Sequence, residues 1–164
     1  MLGEIPIKVL FVDDEENILK ALRRLLIDEE DMEVFTASSG EEGLKILESE
    51  PDIGVIVSDQ RMPGLSGVDF LEKAKKIAPH SVRIVLTGYA DVHAAVDAIN
   101  RGGAYRYVSK PWKDEELLQI IRDAASRYRL IVENRRLIQI INQQNRELKS
   151  WNEKLEARVK EQTE

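Results

Sequence analysis

Five short apolar, β-branched runs alternate with helical stretches through the first two-thirds of the chain, and this limits the fold more than any other feature. The runs occupy residues 7–12, 33–36, 53–57, 82–86 and 105–108. Between them Leu19, Leu22, Leu25 and Leu26 share one helical face. So do Leu44 and Leu47, then Phe70, Leu71 and Ala74, then Val92, Ala95, Val96 and Ile99. Near-continuous apolar strands separated by amphipathic helices predict βαβ units and a five-stranded parallel sheet covered on both faces, a doubly wound α/β fold. In such sheets, functional groups gather outside the carboxyl ends of the strands.

The residues at those ends are chemically distinctive. The first strand, ending at Val12, is followed by Asp13 and Asp14, and the third, ending at Ser58, by Asp59. The fourth ends at Leu86 before Thr87, and the fifth near Ser109 before Lys110. Three carboxylates, a hydroxyl and an ammonium are thereby expected at one sheet edge. Clustered carboxylates repel unless a cation sits among them. All-oxygen ligands suit a hard cation such as Mg²⁺, which takes one or two carboxylates together with phosphate oxygens. An aspartate such as Asp59 can accept a phosphoryl group covalently, and phosphoryl transfer needs positioning and charge neutralisation above all. Each residue alone also has an ordinary explanation. Asp13 and Asp14 could cap the first helix, Asp59 could open a turn, and Lys110 could be a solvated side chain.

With these positions in view, residues 5–125 resemble the receiver domain of bacterial two-component response regulators. The resemblance rests on Val12-Asp13-Asp14-Glu15, on residues 58–67 (SDQRMPGLSG), on Leu86-Thr87-Gly88, and on residues 103–112 (GAYRYVSKPW), in that order. It implies a flavodoxin-like sheet of strand order 2-1-3-4-5. It also implies that Asp59 is the phosphoacceptor, with the phosphoryl group coming from a histidine kinase or phosphotransfer protein. Asp13, Asp14, Asp59 and the backbone carbonyl of Arg61 would hold Mg²⁺. Lys110 and Thr87 would contact the phosphoryl group, Thr87 and Tyr107 would form the switch pair, and Lys110-Pro111 would be a cis peptide. Signalling would run through the face made by the fourth helix, fifth strand and fifth helix. The chain departs from the family at Arg106 and at Trp112, where phenylalanine is commoner. The bulky Arg61 and Tyr89 stand at positions that tune phosphoryl lifetime in the family. An alternative within the family is a degenerate receiver serving as a dimerising adaptor.

All nine glycines and all five prolines lie at or before Pro111, so residues 112–164 read as one uninterrupted helix. Asp114, Glu115 and Glu116 suit its first turn. Past about Tyr128 it has no sheet left to cover. A heptad frame offers a partner instead: Ile138, Asn145, Asn152 and Val159 at a, with Ile141, Leu148, Leu155 and Gln162 at d. Leucine or isoleucine at d with asparagine at a favours a parallel two-stranded coiled coil. The expected organisation is a receiver over 5–126 and a dimerising helical extension over 127–164. Heptads that continue to the last residue suggest the amino-terminal part of a longer protein. By resemblance, the missing output domain would be a cyclic-dinucleotide phosphodiesterase, a diguanylate cyclase or a kinase module.

Several classes are disfavoured. The net charge is −6, no helix-turn-helix segment is evident, and nucleic acid is not an expected partner. A phosphatase of the haloacid dehalogenase type would place an Asp-x-Asp motif after its first strand, where this chain has adjacent acids. No P-loop motif occurs. The absence of cysteine excludes thiol chemistry. No apolar run is long enough to span a bilayer and no secretory signal is visible, so the expected location is the cytoplasm.

Overall fold

The computed structural model describes residues 5–88 and 91–163. Ten elements alternate along the chain: β1 (Ile7–Val12), α1 (Glu16–Leu25), β2 (Met32–Ala37), α2 (Gly40–Ser49), β3 (Ile53–Asp59), α3 (Gly67–Ile77), β4 (Val82–Thr87), α4 (Val92–Asn100), β5 (Arg106–Ser109) and α5 (Asp114–Thr163). The strands form one parallel sheet in the order β2-β1-β3-β4-β5. Every residue of β3 and β4 is buried, as central strands covered on both faces require, and β5 at the edge buries only Val108.

One face carries Leu10, Val12, Ile56 and Val85, packed with Leu47, Phe70, Leu71, Ala74 and Ala98 from α2, α3 and α4. The alternate residues Val9, Phe11, Val55, Val57 and Ile84 are equally buried, as are Leu19 and Leu22 of α1 and Leu117, Ile120 and Ile121 of α5. The ladder between β1 and β3 contains an irregularity. Lys8 pairs with Ile53 and Val9 with Val55, leaving Gly54 as an extra residue. The bulge lets Ile53 and Ile56, three apart, serve the same core. A Cβ at Gly54 would lie 2.6 Å from the Tyr128 ring, so only glycine fits there.

Two expectations are corrected. The apolar face Val92, Ala95, Val96 and Ile99 is not what α4 buries. Ala95 and Ala98 point inward, whereas Val92, Val96 and Ile99 are 67, 50 and 42% exposed. Just past the end of α4 the chain packs closely, since a Cβ on Gly102 would lie 2.8 Å from the Ala98 carbonyl oxygen and 3.0 Å from Leu71 Cβ. Second, Asp59 and Thr87 do not follow their strands but end them, because pairing continues one residue further, Asp59 with Leu86 and Thr87 with Ser109.

The chain divides into two compact units, Met1–Tyr128 and Arg129–Glu164. In the second unit, every residue from Val132 to Glu161 is exposed, including Ile138, Ile141, Leu148, Leu155 and Val159. No helix among the described residues is long and apolar enough to cross a membrane.

Candidate functional site

Three strands deliver the charged groups to one end of the sheet. Asp13 follows β1, is fully buried, and accepts the Glu15 N–H at Oδ1 (2.9 Å). Asp59 ends β3 and is 7% exposed, with its Oδ1 accepting the Gln60 N–H (2.9 Å). The ordinary alternative for Asp13 and Asp14, capping the first helix, is not what forms. Glu15 occupies the N-cap position of α1, without a side-chain bond. Oxygens of Asp13, Asp14 and Asp59 all lie within 4.8 Å of one another. Lys110 Nζ sits 2.9 Å from Asp59 Oδ1 and 3.4 Å from Asp13 Oδ2.

Backbone geometry aims Lys110. Its N–H donates to the Thr87 carbonyl (2.7 Å), and the following Lys110-Pro111 bond is cis. Thr87 itself is buried at the end of β4. Arg61 lies two residues beyond Asp59, on the loop to α3. Asp14, Glu15, Asp59, Arg61, Gly88, Asp91 and Lys110 line a cavity of about 470 Å³. The sheet edge thus brings together Asp13, Asp14, Asp59, Arg61, Thr87 and Lys110. Tyr107 is elsewhere, 49% exposed beside Ile99, Tyr105 and Trp112 on the surface of α4, β5 and the start of α5. Tyr89 lies outside the described residues.

The electrostatics are unbalanced. The Asp13 carboxyl is pushed up to about 6, chiefly by burial and also by the neighbouring Asp59 charge, against the Glu15 N–H and the Lys110 ammonium, which pull it back. Burial pulls the Lys110 ammonium down, but its hydrogen bond to Asp59 and the charges of Asp13 and Asp59 outweigh that and hold it above the ordinary lysine range. One ammonium faces three carboxylates. An all-oxygen donor set with surplus negative charge fits a hard divalent cation.

Several supporting residues escaped the sequence reading. Gln60 Oε1 accepts the Val68 N–H (3.0 Å), tying the acceptor loop to α3. A Cβ on Gly67 would lie 2.3 Å from the Asp59 carbonyl oxygen, so α3 starts against the site only with glycine there. Glu41, from α2, accepts the Leu65 N–H (3.1 Å). Asp91 faces Arg61 across the cavity. None of these has a linear pattern, because each acts across a gap that only the fold closes.

Comparison with known proteins agrees with this geometry. The profile of the response regulator receiver domain matches residues 9–122. The chain belongs to the response regulator receiver family. It is 43% identical over 116 residues to the hydrogenase transcriptional regulatory protein HoxA of Cupriavidus necator, covering 71% of this chain and 23% of that protein. It is 34% identical over 131 residues to the C4-dicarboxylate transport transcriptional regulatory protein DctD of Rhizobium meliloti, covering 79% of this chain and 27% of that one. The receiver thus spans about a quarter of the length of these relatives. Among solved structures, it is similar to a receiver domain protein from Clostridium thermocellum (TM-score 0.70, 40% identity, covering 76% of this chain and 98% of that one). It is also similar to a structure described as adenylate cyclase from Rhodopirellula baltica (TM-score 0.77, 32% identity, 82% and 98% covered). Receiver domains are signalling modules that act as phosphorylation-dependent switches, receive their phosphoryl group from histidine kinases and bind Mg²⁺ in an acidic pocket.

Proposed function

We propose that this receiver takes a phosphoryl group on Asp59 from a histidine kinase or phosphotransfer protein and passes the change to an output domain. The observation that carries this reading is Lys110 Nζ at 2.9 Å from Asp59, beside Asp13 and Asp14 at the floor of an open cavity. Lys110 and the Gln60 N–H both hold Asp59 Oδ1, which leaves Oδ2 as the nucleophile. Oδ2 attacks phosphorus, the bond from phosphorus to the donor nitrogen breaks, and the donor keeps that electron pair. Asp13, Asp14, Asp59 and the Arg61 carbonyl would hold Mg²⁺, which when bound neutralises charge on the phosphoryl oxygens. Lys110 then pairs with a phosphoryl oxygen, and the Thr87 hydroxyl donates to another.

Drawing Thr87 inward opens room for Tyr107 to leave its exposed position. The face bearing Val96, Ile99, Tyr105 and Tyr107 carries the signal outward. Phosphorylation shifts this equilibrium only as far as it favours one state. The receiver proper is read as residues 5–126 and the extension as 127–164, where the heptad positions Ile138, Ile141, Leu148 and Leu155 pair with a second copy in a parallel coiled coil. Such a dimer would feed an output domain.

Incubation with acetyl phosphate should add one phosphoryl mass in the presence of Mg²⁺ and none with a chelator. Asp59→Asn should take up nothing under either condition. An adduct that persists in Asp59→Asn would sink the assignment.

A further inference from the structure

Across the mouth of the cavity, Arg61 Nη2 meets Asp91 Oδ1 at 2.7 Å. The pair joins the loop after β3 to the residue that opens α4. Asp91 is the N-cap of α4, yet its carboxylate makes no capping bond. The two serine N-caps behave differently, Ser39 accepting from Glu42 N–H and Ser66 from Asp69 N–H, whereas Glu15 at the start of α1 also makes no side-chain capping bond. Aspartate is among the best N-cap residues, so a side chain in that position that bonds elsewhere has been diverted. α4 has no acidic residue in its first turn to compensate. Its opening N–H groups therefore lack the partner that the sequence supplies.

We propose that Arg61 and Asp91 form a latch between the phosphoryl site and α4, with Asp91 the residue that positions Arg61. This rests on the reading of Asp59 as phosphoacceptor. The Asp91 side chain is only 15% exposed, but that of Arg61 is 78% exposed, so water reaches the pair from the arginine side and weakens it. Arg61 and Asp91 line the same cavity as Asp59. A phosphoryl group on Asp59 offers more charge than a carboxylate and geometry suited to a guanidinium fork. Arg61 then turns to the phosphoryl oxygens and releases Asp91. The freed carboxylate accepts the N–H of His93 or Ala94 and caps α4. The chemical event at β3 thereby tightens the first turn of α4, the helix whose outer face carries Val92, Val96 and Ile99. This route differs from that of Thr87 and Tyr107 in entering α4 from the β3–α3 loop through Arg61, without passing through β5.

Amide hydrogen exchange at residues 92–94, read by NMR on the full chain, tests the latch. Arg61→Ala without any phosphoryl mimic should slow exchange there roughly fivefold, the scale of one N-cap. Asp91→Asn, which caps but carries no charge to hold arginine, should do the same, and Arg61→Ala with Asp91→Ala should not. In wild type, Mg²⁺ with beryllofluoride should produce the same slowing, and in Arg61→Ala no further slowing. Unchanged exchange in Arg61→Ala overturns the latch, as does slowing that survives Asp91→Ala. Because the Arg61→Ala comparison needs no beryllofluoride, it judges the latch separately from Asp59. A wild type that binds beryllofluoride at Asp59 without slowing these amides overturns the release step.

Discussion

Asp13 concentrates the electrostatic tension of the site in one residue. It is fully buried, and its carboxyl is raised from 3.8 to about 6 chiefly by burial. The folded state therefore holds its proton more tightly than the unfolded chain. Between about pH 4 and 6, rising pH strips that proton, and the stability linked to it is lost; above 6 the cost is fully present. A shift of this size corresponds to roughly 2–3 kcal/mol. Asp13→Asn should thus raise the melting temperature of the metal-free protein at pH 7.5 and leave it nearly unchanged below pH 4. Mg²⁺ should stabilise wild type more at pH 7.5 than at pH 5, and Asp13→Asn much less at either. A calorimetric series over pH, with and without Mg²⁺, reads all of this. If Asp13→Asn melts lower than wild type at pH 7.5 without metal, the buried charge is not the strained group. The chemical types of Asp13, Asp14, Asp59, Thr87 and Lys110 were legible in the sequence because each stands at a strand end. The partners that hold the loops, Gln60, Glu41 and Asp91, were not, since their roles arise only from distances across the fold.

At the scale of elements, the five apolar runs mark the five strands because buried parallel strands are apolar on both faces. The helices were harder. In α4, Val92, Val96 and Ile99 form the more apolar stripe, yet the residues buried against the body of the receiver are the small Ala95 and Ala98. Hydrophobicity alone ranks the two faces the wrong way round. The bulge at Gly54 was equally invisible, being a matter of register and not of composition. It makes a prediction. The Tyr128 ring lies against Gly54, and Tyr128 Oη donates to the Asp52 carbonyl (3.4 Å), so α5 is pinned to the start of β3. Gly54→Ala should destabilise the protein by about 1–3 kcal/mol through overpacking in the sheet. Its urea midpoint should fall, and Gly54→Ala with Tyr128→Ala should cost less than the two single changes added together. Strict additivity would mean that the ring does not limit the site.

For the whole molecule, the two units ask for different things. The receiver has its own core. The unit Arg129–Glu164 has exposed isoleucine and leucine at heptad spacing and nothing of its own to cover them. An isolated helix in water is marginal without packing. In the proposed dimer a second copy would supply it, with Asn145 facing Asn145 and Asn152 facing Asn152 across a parallel seam. Sedimentation of the full chain at tens of micromolar should give a dimer. Leu148→Asp with Leu155→Asp should give a monomer by placing like charges at the seam. A monomeric wild type would remove the coiled coil from the reading. The heptads were legible in the sequence because they repeat locally, whereas their partner is not written there.

The switch reading rests on where the phosphoryl group goes. Borohydride reduces an aspartyl phosphate to homoserine, and peptide mass spectrometry then locates the modified residue. After acetyl phosphate and Mg²⁺, homoserine is expected at position 59 and nowhere else. Homoserine at Asp13 or Asp14, or at no position in a protein that has gained a phosphoryl mass, would contradict the assignment of Asp59.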